Sequence, residues 1–357
     1  MTSSIPFLLP LKANEAASLA ELIFQQLEGK QLGDEQRNRL NTRSSTLGLT
    51  SIRPHWGSLQ ADPVHTSTYY LAVDGMGPEG ESALLLRLAL ASSPGSGIFP
   101  KSMLIGRMRP GGGREVVVNA VPFGPGDSSV TTFCQEVDKA FLPRPMGAVP
   151  AMCIAPSNPD ATLPEAFAAF REIEKTTGLN YAAIEAPAEK YNAVLWSAVR
   201  AGWRAGYTAG AGWLSVPDAG AIESVKQTLH DRAQFSKFSL DVRGHRPETA
   251  IQAIVELSDF IRTEKLANKT GRAFDLEIGI GSVSPEDAFT VLQALRGEGR
   301  PAQILHVPES AATEELADAV RNAGAILSSE KPGRWQVRVA GDLSADDMIS
   351  LAGQLRG

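Results

Sequence analysis

Polar side chains stand late in several apolar segments of this chain, at spacings that suit proton transfer or metal ligation. In FSKFSLDVRGH, Lys237, Ser239, Asp241, Arg243 and His245 alternate with Phe238, Leu240 and Val242. In AFDLEIGIG, Asp275 and Glu277 alternate with Phe274, Leu276 and Ile278, and in NYAAIEAP, Tyr181 and Glu185 oppose Ile184. A period of two places each polar set on one face of a strand. Charges on an interior face are costly unless paired, hydrogen-bonded or bound to a metal.

Position along the strand divides these residues. Lys237 and Asp275 come early and are expected to be structural, in a network where Lys237 or Arg243 neutralises Asp275 and Glu277 across neighbouring strands. Glu185, Asp241, Arg243, His245 and Glu277 come late and are candidates for function. His306, in AQILHVPE, adds an imidazole at another strand end. Glu185, Asp241, Glu277 and His306 together make an oxygen-rich set with one nitrogen, which suits Mg²⁺, Mn²⁺ or Zn²⁺. No local motif such as HExxH fixes that geometry.

Other segments offer binding groups. SSEKPGR places Lys331 and Arg334 where they could clamp an anionic substrate, and a desolvated Lys331 could form a Schiff base. Ser128 follows PFGPGD at an expected helix start, where an anion could sit or a tight turn simply close. Gly111, Gly112 and Gly113 lack a following Lys-Ser/Thr and lie between two expected strands, so they read as a hairpin turn. There is no nucleotide or haem signature.

These residues need a scaffold that repeats. Pro156, Pro187, Pro217 and Pro247 recur about thirty residues apart, the length of one strand–helix unit, each after an apolar run. Proline is excluded from strand interiors but fits the first turn of a helix. Strands are expected at 115–121, 149–155, 180–186, 205–211, 236–242, 274–280, 302–307 and within 325–340. Capping boxes pair Thr162 with Glu165, Ser215 with Asp218, Ser284 with Asp287, and Ser344 with Asp347. Eight such repeats match a (β/α)8 TIM-like barrel over residues 111–357, irregular at its last strand. An open doubly wound sheet shares the alternation but would tend to carry a GxGxxG turn, which is missing.

Residues 1–110 are expected to be an α+β extension packed on that barrel. Residues 14–29 form an amphipathic helix, and a polar stretch of little periodicity runs on to residue 66. STYYLAVDGM reads as a strand, ESALLLRLALASS as a helix and SMLIGRM as a strand.

Composition bounds the function. The chain has 357 residues, 43% hydrophobic and 21% charged, with a formal net charge of −6. The acidic balance argues against a nucleic-acid partner. No apolar run is long enough for a membrane span and the N-terminus lacks a basic leader, so a cytoplasmic protein is expected. Cys134 and Cys153 are expected to be buried small hydrophobes rather than a disulfide.

The expected function is an isomerase or epimerase, of sugar or sugar-acid type, working by proton abstraction next to a carbonyl. Glu185 or Glu277 would be the base, Arg243 or a divalent metal the charge stabiliser, and His245 or His306 the proton shuttle. A Schiff-base lyase or aldolase using Lys331 is one alternative, and a non-catalytic barrel serving in binding or assembly is another. A small molecule is the expected partner, and homo-oligomerisation is left open.

Overall fold

The computed structural model describes residues 12–329, apart from 28–30, 78–79, 93–96, 101, 148–151, 157, 179, 218–221, 269, 272, 282 and 300–301. The chain divides into two compact units: Met1–Phe141 with Leu163–Arg171 and Asn192–Arg204, and Leu142–Thr162 with Glu172–Tyr191 and Ala205–Gly357. Among the described residues, no helix is long and apolar enough to cross a membrane.

The first unit contains α1 (Ala13–Leu27), α2 (Asp34–Ser44), β1 (Ile52–Pro54), β2 (Gln60–Ala61), β3 (Thr68–Gly77), β4 (Gly80–Leu90), β5 (Met103–Met108), β6 (Val116–Pro122) and α3 (Ser128–Thr132). Its antiparallel sheet has the order β1-β3-β4-β6-β5, with β2 paired to β3. On one face Leu71, Val73, Leu84, Leu86 and Leu88 pack with Leu19, Ile23 and Leu40 of the first two helices. On the other, Tyr70 meets Phe99 and Phe133, while Phe123 meets Trp196.

Burial on both faces explains one correction. ESALLLRLALASS, expected as a helix, supplies β4. A strand covered on both sides carries apolar residues at nearly every position, and periodicity then cannot separate it from a buried helix. The polar stretch before residue 66 also contains a helix, α2, anchored through Leu40 and through Arg37 Nε, which donates to Leu59 O at 3.0 Å.

A second correction concerns where the parallel repeats begin. The segment expected as the first barrel strand is β6, which pairs antiparallel with β4 and β5. A division at 110/111 therefore runs between two paired strands. The glycine turn joins β5 to β6 as expected, with Gly111 at φ 54° and Gly112 at φ 74°.

Two glycines in this unit touch backbone to backbone. A Cβ on Gly57 would lie 2.6 Å from Gly202 Cα, closer than side chains pack. Gly57→Ala is therefore expected to cost about 1–3 kcal/mol of stability, read as a lowered urea midpoint. An unchanged midpoint would show that this contact yields freely.

The second unit holds β7 (Met152–Ile154), β8 (Ala182–Glu185), β9 (Tyr207–Ser215), β10 (Lys237–Asp241), β11 (Asp275–Gly279), β12 (Ile304–Val307) and β13 (Ile326–Ser329). The helices that follow the first six strands are α4 (Pro159–Thr177), α5 (Tyr191–Ala201), α6 (Ile222–His230), α7 (Pro247–Ala267), α8 (Pro285–Gly297) and α9 (Glu314–Asn322). The stretches from α4 and α5 named above group with the first unit. All seven strands are parallel, neighbours in space as in sequence, and form a curled half-barrel. Right-handed crossovers wound in one direction fall on one side of a sheet, and α6, α7, α8 and α9 pack each on the next.

Pro156, Pro187, Pro217 and Pro247 all follow strand ends as their spacing implies, and Pro247 opens α7. Ser284 caps α8, accepting from Asp287 N–H at 3.0 Å. Thr162 does not cap α4, which begins earlier with Asn158 as its cap residue. Asp218, Ser344, Asp347 and the chain beyond Ser329 lie outside the described residues.

Candidate active centre on the concave face of the half-barrel

The side chains of each strand divide by parity. Phe238, Leu240, Leu276, Ile278, Ile184 and Leu305 are buried on the convex face, where an apolar layer meets the helices. The alternate positions form the concave face, and strand pairing places them in rows. Lys237 pairs with Gly210 and Asp275, Ser239 with Trp213 and Glu277, and Gly279 with Asp241 and His306. Glu185 stands beside Gly210.

Lys237 is the hub. Its ammonium bridges Glu185 Oε1 and reaches Glu277 Oε1 at 3.3 Å. Gly210 leaves room for this, since a Cβ there would meet Glu185 Oε2 at 2.8 Å and Lys237 Cε at 3.0 Å. Burial pulls the Lys237 pKa down, but Glu185 and Glu277 more than offset it and hold the ammonium charged. Glu185 also accepts from Gly212 N–H at 3.0 Å.

Glu277 is almost fully buried and accepts from Ser239 Oγ at 2.8 Å. Burial pushes its carboxyl up, but His306, Lys237 and Ser239 together bring it down to about 2. His306 Nε2 lies 3.7 Å from Glu277 Oε2 and has no hydrogen-bond partner among the described residues. The imidazole also meets the indole of Trp213 edge-on, with ring centroids 4.7 Å apart.

The deeper row is structural. Asp275 accepts from Met146 N–H at 2.8 Å and Gly147 N–H at 2.9 Å, tying residues 146–147 across the N-terminal ends of the strands. Burial raises its pKa, against the hydrogen bonds that lower it.

The remaining predicted residues are placed as follows. Asp241 is held by Arg243, which donates from its backbone N–H at 3.1 Å, from Nε at 2.9 Å and from Nη2 at 2.7 Å. That side-chain pairing lowers the Asp241 pKa. His245 turns Nε2 to Val216 O at 2.9 Å. Ser128 opens the five-residue α3 of the first unit, after a turn closed by Gly124 N–H donating to Asp127 at 2.8 Å. Lys331 and Arg334 lie outside the described residues. Glu185, Glu277 and His306 are thus brought together, whereas Asp241 and His245 are engaged elsewhere. Among the described residues, no group of three or more His, Cys, Asp or Glu side chains could hold a metal ion.

Three participants were missed in whole or in part by the sequence reading. Lys237 was expected to neutralise Glu277 across neighbouring strands, and it does; its second partner, Glu185, was not foreseen. Cys153, expected to be buried, is exposed, and its pairing with Ala183 puts it on the concave face. Its thiol is nonetheless set among protein atoms, whose burial raises its pKa, with Glu185 and Glu277 adding to the rise against Lys237. Cys134 is buried as expected. The third is Trp213, whose parity by counting is wrong for this face. The shared parity of Lys237 with Ser239 and Asp241 was the available signal for the hub.

The first unit has a cavity of about 440 Å³ lined by Phe24, Leu27, Tyr69, Leu90, Arg114 and Val116 among others. Its lining offers hydroxyls and one guanidinium but no carboxylate, imidazole or thiol, so it is poorly equipped for proton transfer. The buried ion cluster of that unit, in which Asp74 meets Arg200 Nη2 at 2.7 Å and His55 Nε2 at 3.0 Å, reads as structural. No protein-family model and no curated protein matches the chain.

Proposed function

We propose that the concave face is an active centre that moves a proton next to a carbonyl, in an isomerase or epimerase acting on a small polyhydroxylated or anionic compound. The observation that carries this reading is the chain of contacts from Lys237 through Glu277 to His306. Buried ion networks rarely stabilise a fold more than apolar residues of equal volume would, so a network holding an imidazole at strand ends is better suited to chemistry than to stability.

The roles follow from the electrostatics. Glu277 at about 2 is too acidic to serve as a base near neutral pH. It instead orients His306, and an imidazole is by type able to give and take a proton there. Glu185 is the second base, and the Lys237 ammonium is the positive centre for developing enolate charge. A divalent ion would enter this reading only if Lys237 were displaced and Glu185, Glu277 and His306 moved together, because no such cluster stands ready among the described residues. The one-directional winding supports a closed (β/α)8-like ring as the parent fold.

The test is deuterium uptake from solvent at carbons next to the carbonyl, across a panel of keto and aldo sugars and sugar acids. The wild-type protein is expected to exchange at least one of them, and Glu277→Gln to slow that exchange about tenfold or more. No exchange anywhere in the panel, or an unchanged rate in the variant, removes the reading. The pairing of Lys237 with its glutamates and of Asp241 with Arg243 also fits a non-catalytic binding barrel. That reading gains if a sugar binds without exchange.

A further inference from the structure

The sequence of β9 alternates so that Gly210 and Gly212 share one face and Trp213 the other. The structure breaks that alternation. Lys237 pairs with Gly210 and Ser239 with Trp213, so three steps on β9 match two on β10. One extra residue in a strand flips every later side chain to the opposite face. Gly212 supports the irregularity with φ 77°, a left-handed conformation that a side chain would disfavour. Its N–H is held by Glu185 and its carbonyl accepts from Arg232 Nη1 at 3.3 Å.

The outcome is an indole delivered to the polar concave face rather than to the helices. Opposite it stands Gly279, where a Cβ would lie 3.3 Å from Trp213 Cζ3, so the absent side chain seats the ring. His306 braces it edge-on. Despite these contacts Trp213 is 43% exposed, beside residues otherwise chosen for charge. A bulge placed next to a site commonly re-aims a side chain into it.

From this arrangement we propose that Trp213 is the specificity-determining platform of the concave site, receiving the C–H face of a cyclic sugar. The proposal rests on the proton-transfer reading for its location, and it narrows the substrate class to sugars captured in the ring form. Their hemiacetal then opens (the anomeric hydroxyl proton goes to a base, the ring C–O bond breaks and the ring oxygen takes a proton) to expose the carbonyl next to which the proton is moved. One face of a pyranose presents C–H bonds with positive edges, which the negative face of an indole attracts. The hydroxyls around the ring are donors, and the carboxylates of Glu185 and Glu277 are acceptors. A linear dicarboxylate would leave the indole face unused and would be repelled by those carboxylates.

The test measures binding of methyl β-D-glucopyranoside, methyl β-D-glucopyranosiduronate and succinate by calorimetry and saturation-transfer NMR. Wild type, Trp213→Phe, Trp213→Leu and Trp213→Ala are compared after circular dichroism confirms folding. One or both glycosides should bind the wild type and the Phe variant, with roughly tenfold weaker binding to the Leu and Ala variants. Leucine keeps apolar bulk without an aromatic face, so it separates stacking from mere burial. The neutral and acidic glycosides show which sugar charge the site prefers, and either one binding through Trp213 supports the proposal. Glycoside binding unchanged in both Leu and Ala variants overturns it, as does a wild type that binds succinate but neither glycoside. Trp213-dependent binding without deuterium exchange would uphold the platform and remove the proton-transfer reading, so the two fail separately.

Discussion

Replacing Lys237 with methionine should destabilise the protein by about 3–5 kcal/mol at pH 7, the usual cost of stripping one partner from a buried ion pair. Methionine fills a similar volume, so the loss is electrostatic rather than a cavity. Without the ammonium, Glu185 and Glu277 face each other with no counter-ion between them, while Ser239 and Gly212 still donate to one oxygen each. The variant should also respond to pH in a particular direction. Removing the ammonium leaves two like charges close together, which makes the pair hold protons more tightly than in the wild type, so the deficit against wild type should narrow as pH falls from 7 toward 5. Urea denaturation at both values checks this. A loss under about 1 kcal/mol, the range of a solvent-exposed pair, would show that Lys237 is not the hub of this face.

In the intact protein the acid response has the opposite sign at Glu277. Its folded pKa is depressed from 4.5 to about 2, so its contribution is fully present above about 4.5 and is lost as pH falls toward 2. At roughly 1.4 kcal/mol per unit, the contribution is about 3 kcal/mol. Asp275 works the other way, because its raised pKa makes the folded state take up a proton before the unfolded chain does. The comparison must therefore be a difference. Wild type should exceed Glu277→Gln in stability at pH 6 by about 3 kcal/mol more than it does at pH 2. A gap that stays constant with pH would mean that His306, Lys237 and Ser239 do not favour the ionised carboxylate.

Both effects concern residues that the sequence had already put on one face. Local rules determined a good deal. The positions of seven parallel strands were legible because proline must stand outside a strand, and because Leu, Ile and Phe had to alternate with Glu, Asp and Lys where one face packs on helices. The same alternation singled out Glu185 and Glu277 along with Asp241, Arg243 and His245, and position at a strand end added His306; of these, Glu185, Glu277 and His306 come together. The hairpin at Gly111 and Gly112 and the cap at Ser284 were legible too, since each depends on the chemistry of a few adjacent residues.

What required the tertiary structure was whatever depends on a partner distant in the chain. β4 was misread because Leu85 and Ala89 are buried on the face opposite Leu84, Leu86 and Leu88, and only knowledge of both layers explains so many apolar neighbours. β6 looks by itself like any strand, and its membership of the antiparallel sheet is decided by pairing with β4 and β5. Lys237 was set among inert charges because depth along a strand says nothing about how far a four-carbon stem reaches. Trp213 points to the concave face because β9 carries one residue more than β10 requires, a comparison between two strands that neither sequence contains. Alternation is a property of one strand and can be read from it. Register, and hence which groups share a site, is a relation between strands and is settled only when they pair.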